Sequence, residues 1–315
     1  MNSSPVTPDL LVLGSGGVLG DVWMTGLLVG LDRGGMVDMH AAGSLVGTSA
    51  GSIVATRLAA GQDLEALIHK HIEVSVPAAH TVAPGELEAR SGFLSGRLAN
   101  FLMLQGRAGR AVRRMLLRRL PAGNQTLTHL GRDMKELAPD WPERLNITAV
   151  NSSTGDRVVF GRGRTHGLSV SEAVQASCAI PTVFKPVGGA DGAFVDGGVW
   201  SPANLDAVPV KPGQTVVCVT PTGSDQGAVG FRRRTFARLF RSIVEGEVAR
   251  LRRRGVRVLN VVPDMAASAA IGPSRMASGR EVDVYEAGLA QGLELAGPLS
   301  GWLKPGARQD AALSR

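Results

Sequence analysis

The chain has 315 residues, 44% of them hydrophobic and 19% charged, with 41 glycines, 17 prolines and a formal net charge of +7. Such a composition can bury a substantial core in one large domain or two smaller ones, and its glycines and prolines favour many turns over long bundled helices. Lacking any run of about 18 apolar residues and carrying only two cysteines, it excludes a membrane-spanning helix, a disulfide framework and a cysteine-based metal cluster.

The N-terminal stretch MNSSPVTPDLLVLG has neither a basic n-region nor a long apolar h-region, so a secretory signal is not expected. Residues 1–8 read as a flexible tip and 9–13 (DLLVL) as a buried strand, followed by a helical pattern over 21–31. GSLVGTSAGSIVATRLAAG predicts a strand near 44–46, a sharp turn of small residues and a helix from about 50 to 60. A helix over 62–72 leads into residues 73–125, which read as an insertion or cap. Pro77, Pro84, Gly85, Gly92 and Gly96 punctuate it before the basic helix GRAGRAVRRMLLRRLP, whose apolar residues are Val112, Met115, Leu116 and Leu120. Downstream, strands are expected at 145–150, 157–160, 183–187, 193–195, 215–219 and 256–262, and helices at 126–137, 170–178 and 231–253. The tail 304–315 reads as a second flexible tip. Strands alternating with helices argue for an α/β fold with a largely parallel sheet. Cys178 and Cys218 sit in apolar stretches and are expected as buried free thiols, which points to a reducing, cytoplasmic setting.

Most of the basic residues are arginines, and the pI near 10.2 favours anionic partners. Aromatic residues make up only 4%, with a single tyrosine, Tyr285, so stacking platforms for nucleic acid are poor and no nucleic-acid recognition signature is found. A membrane surface carrying acidic lipids fits better. In 231–254, apolar residues from Phe236 to Leu251 recur at helical spacing among arginines. They read either as a stripe packed on the sheet or as part of a lipid-docking helix.

Three constellations carry chemistry. In LGSGGVLGDVW, Gly14, Gly16, Gly17 and Gly20 stand between a strand and a helix, where glycines can aim backbone N–H groups at negative charge. The spacing departs from G-x-G-x-x-G, because Leu19 holds the third position and no acidic residue ends the next strand, so a dinucleotide cradle fits poorly. An oxyanion hole and a ligand-free turn stay open. VGTSAGS centres Ser49 between Gly47 and Gly51 on a strand–turn–helix elbow of the kind that raises a nucleophile above a sheet. Chance alone gives about 0.4 matches to G-x-S-x-G in such a chain, so the motif needs context. No histidine follows His166, which leaves a histidine triad weakly supported. GAFVDGGVWSPAN places Asp196 after an apolar run and before Gly197 and Gly198. It is either a plain turn or a carboxylate that bonds directly to a serine hydroxyl, with burial raising its basicity.

Together, GSGGVLG (14–20), GTSAG (47–51), ASCAIP (176–181) and DGG (196–198) resemble, in order, the marks of the patatin-like phospholipase family. The likeness covers about residues 9–220, with a weaker echo in VDVYEAGLAQG (282–292). It implies a three-layer α/β/α fold over 9–303 with a largely parallel central sheet and a helical cap. It also implies a serine lipid acyl hydrolase that uses no cofactor or metal, with acyl-ester lipid as substrate and peripheral contact with anionic membrane through arginine-rich helices. The resemblance makes Ser49 the nucleophile and Asp196 its dyad partner, with the oxyanion hole formed by backbone N–H groups of Gly16, Gly17 and Ala50. The loop departs from the common family form at Ser15, which replaces a glycine, and at Leu19, which replaces a lysine or arginine. Both feed the alternative of a catalytically silent lipid- or partner-binding protein on the same fold. Ser15 is awkward if its position demands a positive φ.

Overall fold

The computed structural model describes residues 4–68, 106–222 and 231–307. Within them, eight strands form one sheet: β1 (Leu10–Leu13), β2 (Ser44–Thr48), β3 (Leu145–Asn151), β4 (Arg157–Gly161), β5 (Val187–Gly189), β6 (Gly192–Asp196), β7 (Thr215–Val219) and β8 (Arg257–Val261). Their order is β5-β6-β3-β2-β1-β7-β8, with β4 also paired to β3. The run β3-β2-β1-β7-β8 is parallel, and β4, β5 and β6 add antiparallel pairings at one end. Its central strands, LLVL and TVVCV, are buried along their whole length, as parallel strands covered on both faces must be. The chain steps outward from β1 through β2 to β3, then returns to the other side of β1 for β7 and β8. Such a reversal opens a crevice at the carboxyl ends of the diverging strands.

The helices are α1 (Gly17–Arg33), α2 (Ala50–Ala59), α3 (Gly106–Arg119), α4 (Thr128–Leu137), α5 (Val170–Cys178), α6 (Phe231–Arg253), α7 (Met265–Ile271) and α8 (Glu281–Leu303). Side chains alternate across the strands, so Leu11, Leu13, Leu45 and Ile147 meet α1, α2, α4, α5, α7 and α8 on one face. Leu10, Val12, Val46, Val216 and Val258 face the other way, where α6 lays Val244, Val248 and Leu251 against them. On that same side α3 packs Leu116 and Leu117 on Val150, Val195 and Val199. Three layers with a mostly parallel sheet result, which is the expected fold class.

Several expectations need correcting. The helical pattern at 21–31 begins four residues earlier, at Gly17, so the glycine loop itself enters the helix. The strand expected at 183–187 is absent: Thr182 has φ 72, Phe184 makes only an isolated bridge to Gln125, and Pro186 supplies no N–H, so pairing starts at Val187. Residues 4–8 are tied down, with Val6 bridging Val37. The helix expected at 62–72 is described only to residue 68. Of the proposed insertion, 73–105 lies outside the described residues, as do 1–3 and 308–315 of the tips.

No element is expected from the sequence at α8, where only a weak likeness over 282–292 is noted, and the helix carries Gly288, Gly292 and Pro298, residue types that ordinarily disfavour one. In the structure those glycines are the contact. A Cβ at Gly292 would lie 2.2 Å from the Leu27 carbonyl oxygen, and one at Gly30 of α1 would lie 2.3 Å from that of Leu289. The two backbones therefore touch. Gln291 locks the pair by accepting from Trp23 Nε1 at 3.0 Å and donating to the Val262 carbonyl at 2.8 Å. Gly292→Ala is expected to force α1 and α8 apart and to cost about 1–3 kcal/mol. Urea unfolding measures it; an unchanged midpoint would contradict the close contact.

Candidate active site

Ser49 stands between β2 and α2 with φ 52 and ψ −125. A non-glycine residue held there stores about 1–3 kcal/mol of strain, so the surroundings must impose it. Its N–H donates to Ser177 Oγ at 2.8 Å, and the Ser177 hydroxyl in turn donates to the Thr148 carbonyl at 2.7 Å. The Ser49 carbonyl accepts from the Ser52 N–H at 2.7 Å and from the Ser52 hydroxyl at 2.6 Å. Both flanking glycines are sterically required. A Cβ at Gly51 would lie 2.0 Å from the Leu13 carbonyl oxygen, and one at Gly47 would lie 2.5 Å from Ser52 Cα.

Asp196 ends β6 opposite Ala149 of β3, buried, with its N–H bonded to the Ala179 carbonyl at 3.0 Å. The following 3₁₀ turn (Gly197–Val199) returns the Gly198 N–H to Asp196 Oδ1 at 2.7 Å. Gly197 lets the turn lie on β3, since a Cβ there would approach the Thr148 carbonyl oxygen to 2.5 Å. The Ser49 hydroxyl stands close enough to the Asp196 carboxylate to favour its ionised form. Burial pushes that carboxyl up to about 6, against the lowering pull of the Gly198 N–H and the Ser49 hydroxyl.

The glycine loop lies beside both turns. Gly51 abuts the Leu13 and Gly14 carbonyls, and the Ser15 side chain lies 3.6 Å from where a Gly198 Cβ would stand. Its N–H groups divide by use. Those of Gly14 and Ser15 bond to the Val219 and Pro202 carbonyls at 2.9 and 2.8 Å, and those of Leu19 and Gly20 to Arg275 and Gly16 at 3.0 and 3.2 Å. Among the described residues no acceptor takes the N–H of Gly16, Gly17, Val18 or Ala50. All four sit at the start of α1 or α2, where backbone donors lack intrahelical partners. The loop's positive φ, 66, belongs to Gly17, whereas Ser15 lies outside the left-handed region and is unstrained. Leu19 is fully buried in the core, where a charged head group would lose its hydration.

The structure thus brings Ser49, Asp196 and the loop from Gly14 to Gly20 into one crevice. It leaves the histidine candidate out: His166 pairs with Asp191 in the β5–β6 turn, at the other end of β6 from Asp196. Cys178 and Cys218 are free and buried, and burial pushes both thiols well up. Ser177, which holds the elbow, went unassigned in the sequence, although its ASCAIP motif was visible there. A cavity of about 520 Å³ lies at Gly43, Ser44 and Arg144, at the start of β2 and away from Ser49. Among the described residues no group of three His, Cys, Asp or Glu side chains is placed to hold a metal ion, and no helix is long and apolar enough to cross a membrane.

A strained serine between a parallel strand and a helix, beside a buried carboxylate in the crevice of a three-layer sheet, defines an α/β protein with an acyl-hydrolase type of elbow. The chain belongs to the patatin-like phospholipase family, whose model matches residues 11–209. Membership implies lipid acyl hydrolase activity, to which a lipid-ester substrate fits. Comparison with curated proteins found no match. Among solved structures the chain is similar to VipD from Legionella pneumophila, at 16% identity and a TM-score of 0.43, covering 92% of this chain and 67% of VipD. It is also similar to the type III effector ExoU, at 17% identity and a TM-score of 0.39, covering 94% of this chain and 54% of ExoU. A third likeness is to the ExoU–SpcU complex of Pseudomonas aeruginosa, at 19% and 0.37, covering 93% of this chain. The chain spans only about half the length of ExoU.

Ser177→Ala leaves the buried Ser49 N–H without its acceptor. A loss of about 1–3 kcal/mol in unfolding free energy is expected, checked by denaturant titration; a neutral result would mean that the elbow is held by Ser52 and the glycines alone.

Proposed function

We propose that this protein is a serine acyl hydrolase that cleaves fatty-acyl esters of lipids or phospholipids with Ser49 as nucleophile and Asp196 as general base. The observation that carries the reading is the strained Ser49 elbow beside a buried carboxylate whose basicity burial has raised. Asp196 takes the Ser49 proton as the oxygen attacks the ester carbonyl, and the tetrahedral oxyanion forms against the Gly16, Gly17 and Ala50 N–H groups. Collapse expels the alcohol, which leaves with the proton held by Asp196, and the acyl group stays on Ser49. Water then attacks the acyl-enzyme, Asp196 takes its proton, and fatty acid departs as Ser49 is reprotonated. Two facts support donors in that loop: the unengaged N–H groups, and the helix starts that direct positive dipole ends to the same point.

Peripheral contact with anionic membrane belongs to the same proposal. The outer faces of α3 and α6 expose Arg114, Arg118, Arg119, Arg238, Arg241, Arg252 and Arg253, while Val244, Val248 and Leu251 of α6 are spent on the sheet. Contact through α6 is therefore electrostatic and weakens with salt. Ser15 and Leu19 no longer favour the silent alternative, since the first is unstrained and the second is core.

Fatty-acid release from mixed anionic phospholipid vesicles in EDTA is expected from wild type and from neither Ser49→Ala nor Asp196→Asn. Release by Ser49→Ala would sink the nucleophile. Because the base must be ionised, kcat/KM is expected to rise with pH through a limb near 6, the value to which Asp196 is pushed up, and to level off above it. A profile that falls through that range would rule out Asp196 as base.

A further inference from the structure

The segment Trp200–Leu205 touches every part of the crevice. The Pro202 carbonyl accepts the Ser15 N–H at 2.8 Å and so holds the glycine loop. Asn204 Nδ2 donates to Thr48 Oγ1 at 3.2 Å, to the Gly197 carbonyl at 3.3 Å and to the Ser201 carbonyl at 2.7 Å. Thr48 precedes Ser49 and Gly197 follows Asp196, so one amide spans the two turns. Asn204 is fully buried with φ 54, a conformation that asparagine tolerates better than most residues.

Two charged side chains grip this segment from opposite flanks. Arg157 of β4 donates to Asn204 Oδ1 at 3.4 Å and to the Asp206 carbonyl at 3.1 Å, and it pairs with the Asp206 carboxylate. Glu247 of α6 reaches in from the outer layer, 1% exposed. Its Oε2 accepts the Leu205 N–H at 3.1 Å, and the Ser201 hydroxyl lies near the same carboxylate. The Ser201 hydroxyl oxygen accepts the Ala203 and Asn204 N–H groups at 3.2 and 3.0 Å, so Ser201 and Glu247 hold adjoining parts of one turn. Burial and the Asp206 charge push the Glu247 carboxyl up to about 7, while Ser201, the Leu205 N–H and Arg157 pull it down. From β7 the Cys218 thiol faces the same carboxylate. A carboxylate is costly to bury, and an apolar residue at 247 would extend the stripe formed by Val244, Val248 and Leu251. The proposed reaction gives Glu247 no chemical step.

We propose that Glu247 is a positioning residue for the reaction at Ser49: through the Leu205 N–H it fixes the 201–205 turn, whose Pro202 carbonyl and Asn204 amide set the glycine loop, the Ser49 elbow and the Asp196 turn relative to one another. The inference rests on the reading of Ser49 and Asp196 as the reacting pair. Misplacement of reacting groups by fractions of an ångström lowers rate without weakening ground-state binding, which separates this role from a merely structural one.

The test uses the full chain with Glu247→Leu, Glu247→Gln and Ser201→Ala, a soluble acyl ester and a fluorophosphonate probe. The labelling rate constant and the final labelled fraction are measured separately. In Glu247→Leu, kcat and the labelling rate constant are expected to fall by about tenfold or more while KM stays within about twofold. Glu247→Gln, which keeps an acceptor for the Leu205 N–H, recovers much of the rate. Ser201→Ala, a small change that spares the carboxylate, moves kcat in the same direction as Glu247→Leu. A wild-type rate constant with only a smaller labelled fraction or a lower melting temperature would overturn the role and leave Glu247 structural. If Glu247→Leu does not fold, a wild-type rate in Ser201→Ala overturns it equally. Ser49→Ala is read alongside: hydrolysis that survives there removes the underlying dyad reading as well, whereas wild-type rates in the 247 and 201 variants remove the Glu247 role alone.

Discussion

The strained backbone at Ser49 is the constraint around which the crevice is arranged. A serine at φ 52 persists only if its neighbours leave it no alternative. Its N–H is taken by Ser177 from α5 and its carbonyl by Ser52 from α2, while Gly47 and Gly51 let strand and helix meet at distances that a side chain would forbid. Thr148 of β3 lies at the centre of this arrangement. Its carbonyl receives the Ser177 hydroxyl and borders Gly197, and its own hydroxyl meets that of Thr48 at 2.8 Å. The elbow and the Asp196 turn are thus anchored on one peptide unit, and a shift in either is felt by the other.

Two buried carboxylates flank this arrangement, and their surroundings separate their characters. Asp196 stands at a strand end within the crevice, bonded to one backbone N–H and beside the Ser49 hydroxyl. Burial makes it more basic while leaving it a proton acceptor near neutral pH. Glu247 is enclosed between α6 and the sheet with no reacting group beside it, and its partners are the turn that carries Asn204. One carboxylate faces chemistry; the other faces the frame that holds the chemistry in register.

Arginine-rich helices serve the fold before they serve any partner. Arg113 of α3, fully buried, stacks at 4.1 Å over Trp200, next to the Asp196 turn, and donates to the Gly155 carbonyl at 2.7 Å. Desolvation lowers its pKa to about 10, a cost that the cation–π contact and the carbonyl offset. In α6 the residues Val244, Val248 and Leu251 of the stripe read from sequence pack on the sheet as core, and the arginines on the outer side are open to solvent or an anionic surface.

Much of this was legible in the sequence because its signals are local. Apolar runs such as LLVL and TVVCV mark strands buried on both faces, and G-x-S-x-G and D-G-G mark turns whose glycines are required by contacts a few residues away. Four such segments in order identified the family. What the sequence could not convey depends on partners distant in the chain. The helix that carries Gly288 and Gly292 takes its place only when α1 is laid against those glycines, and an extended-looking 183–187 lacks a strand because Pro186 cannot pair. Ser177 and Glu247 are unremarkable letters until folding sets one on the Ser49 N–H and the other beneath the 201–205 turn. Local sterics write turns, strands and helix starts into the sequence, whereas burial, raised basicity and the joining of Ser49 to Asp196 arise only when residues about 150 apart share one dry crevice.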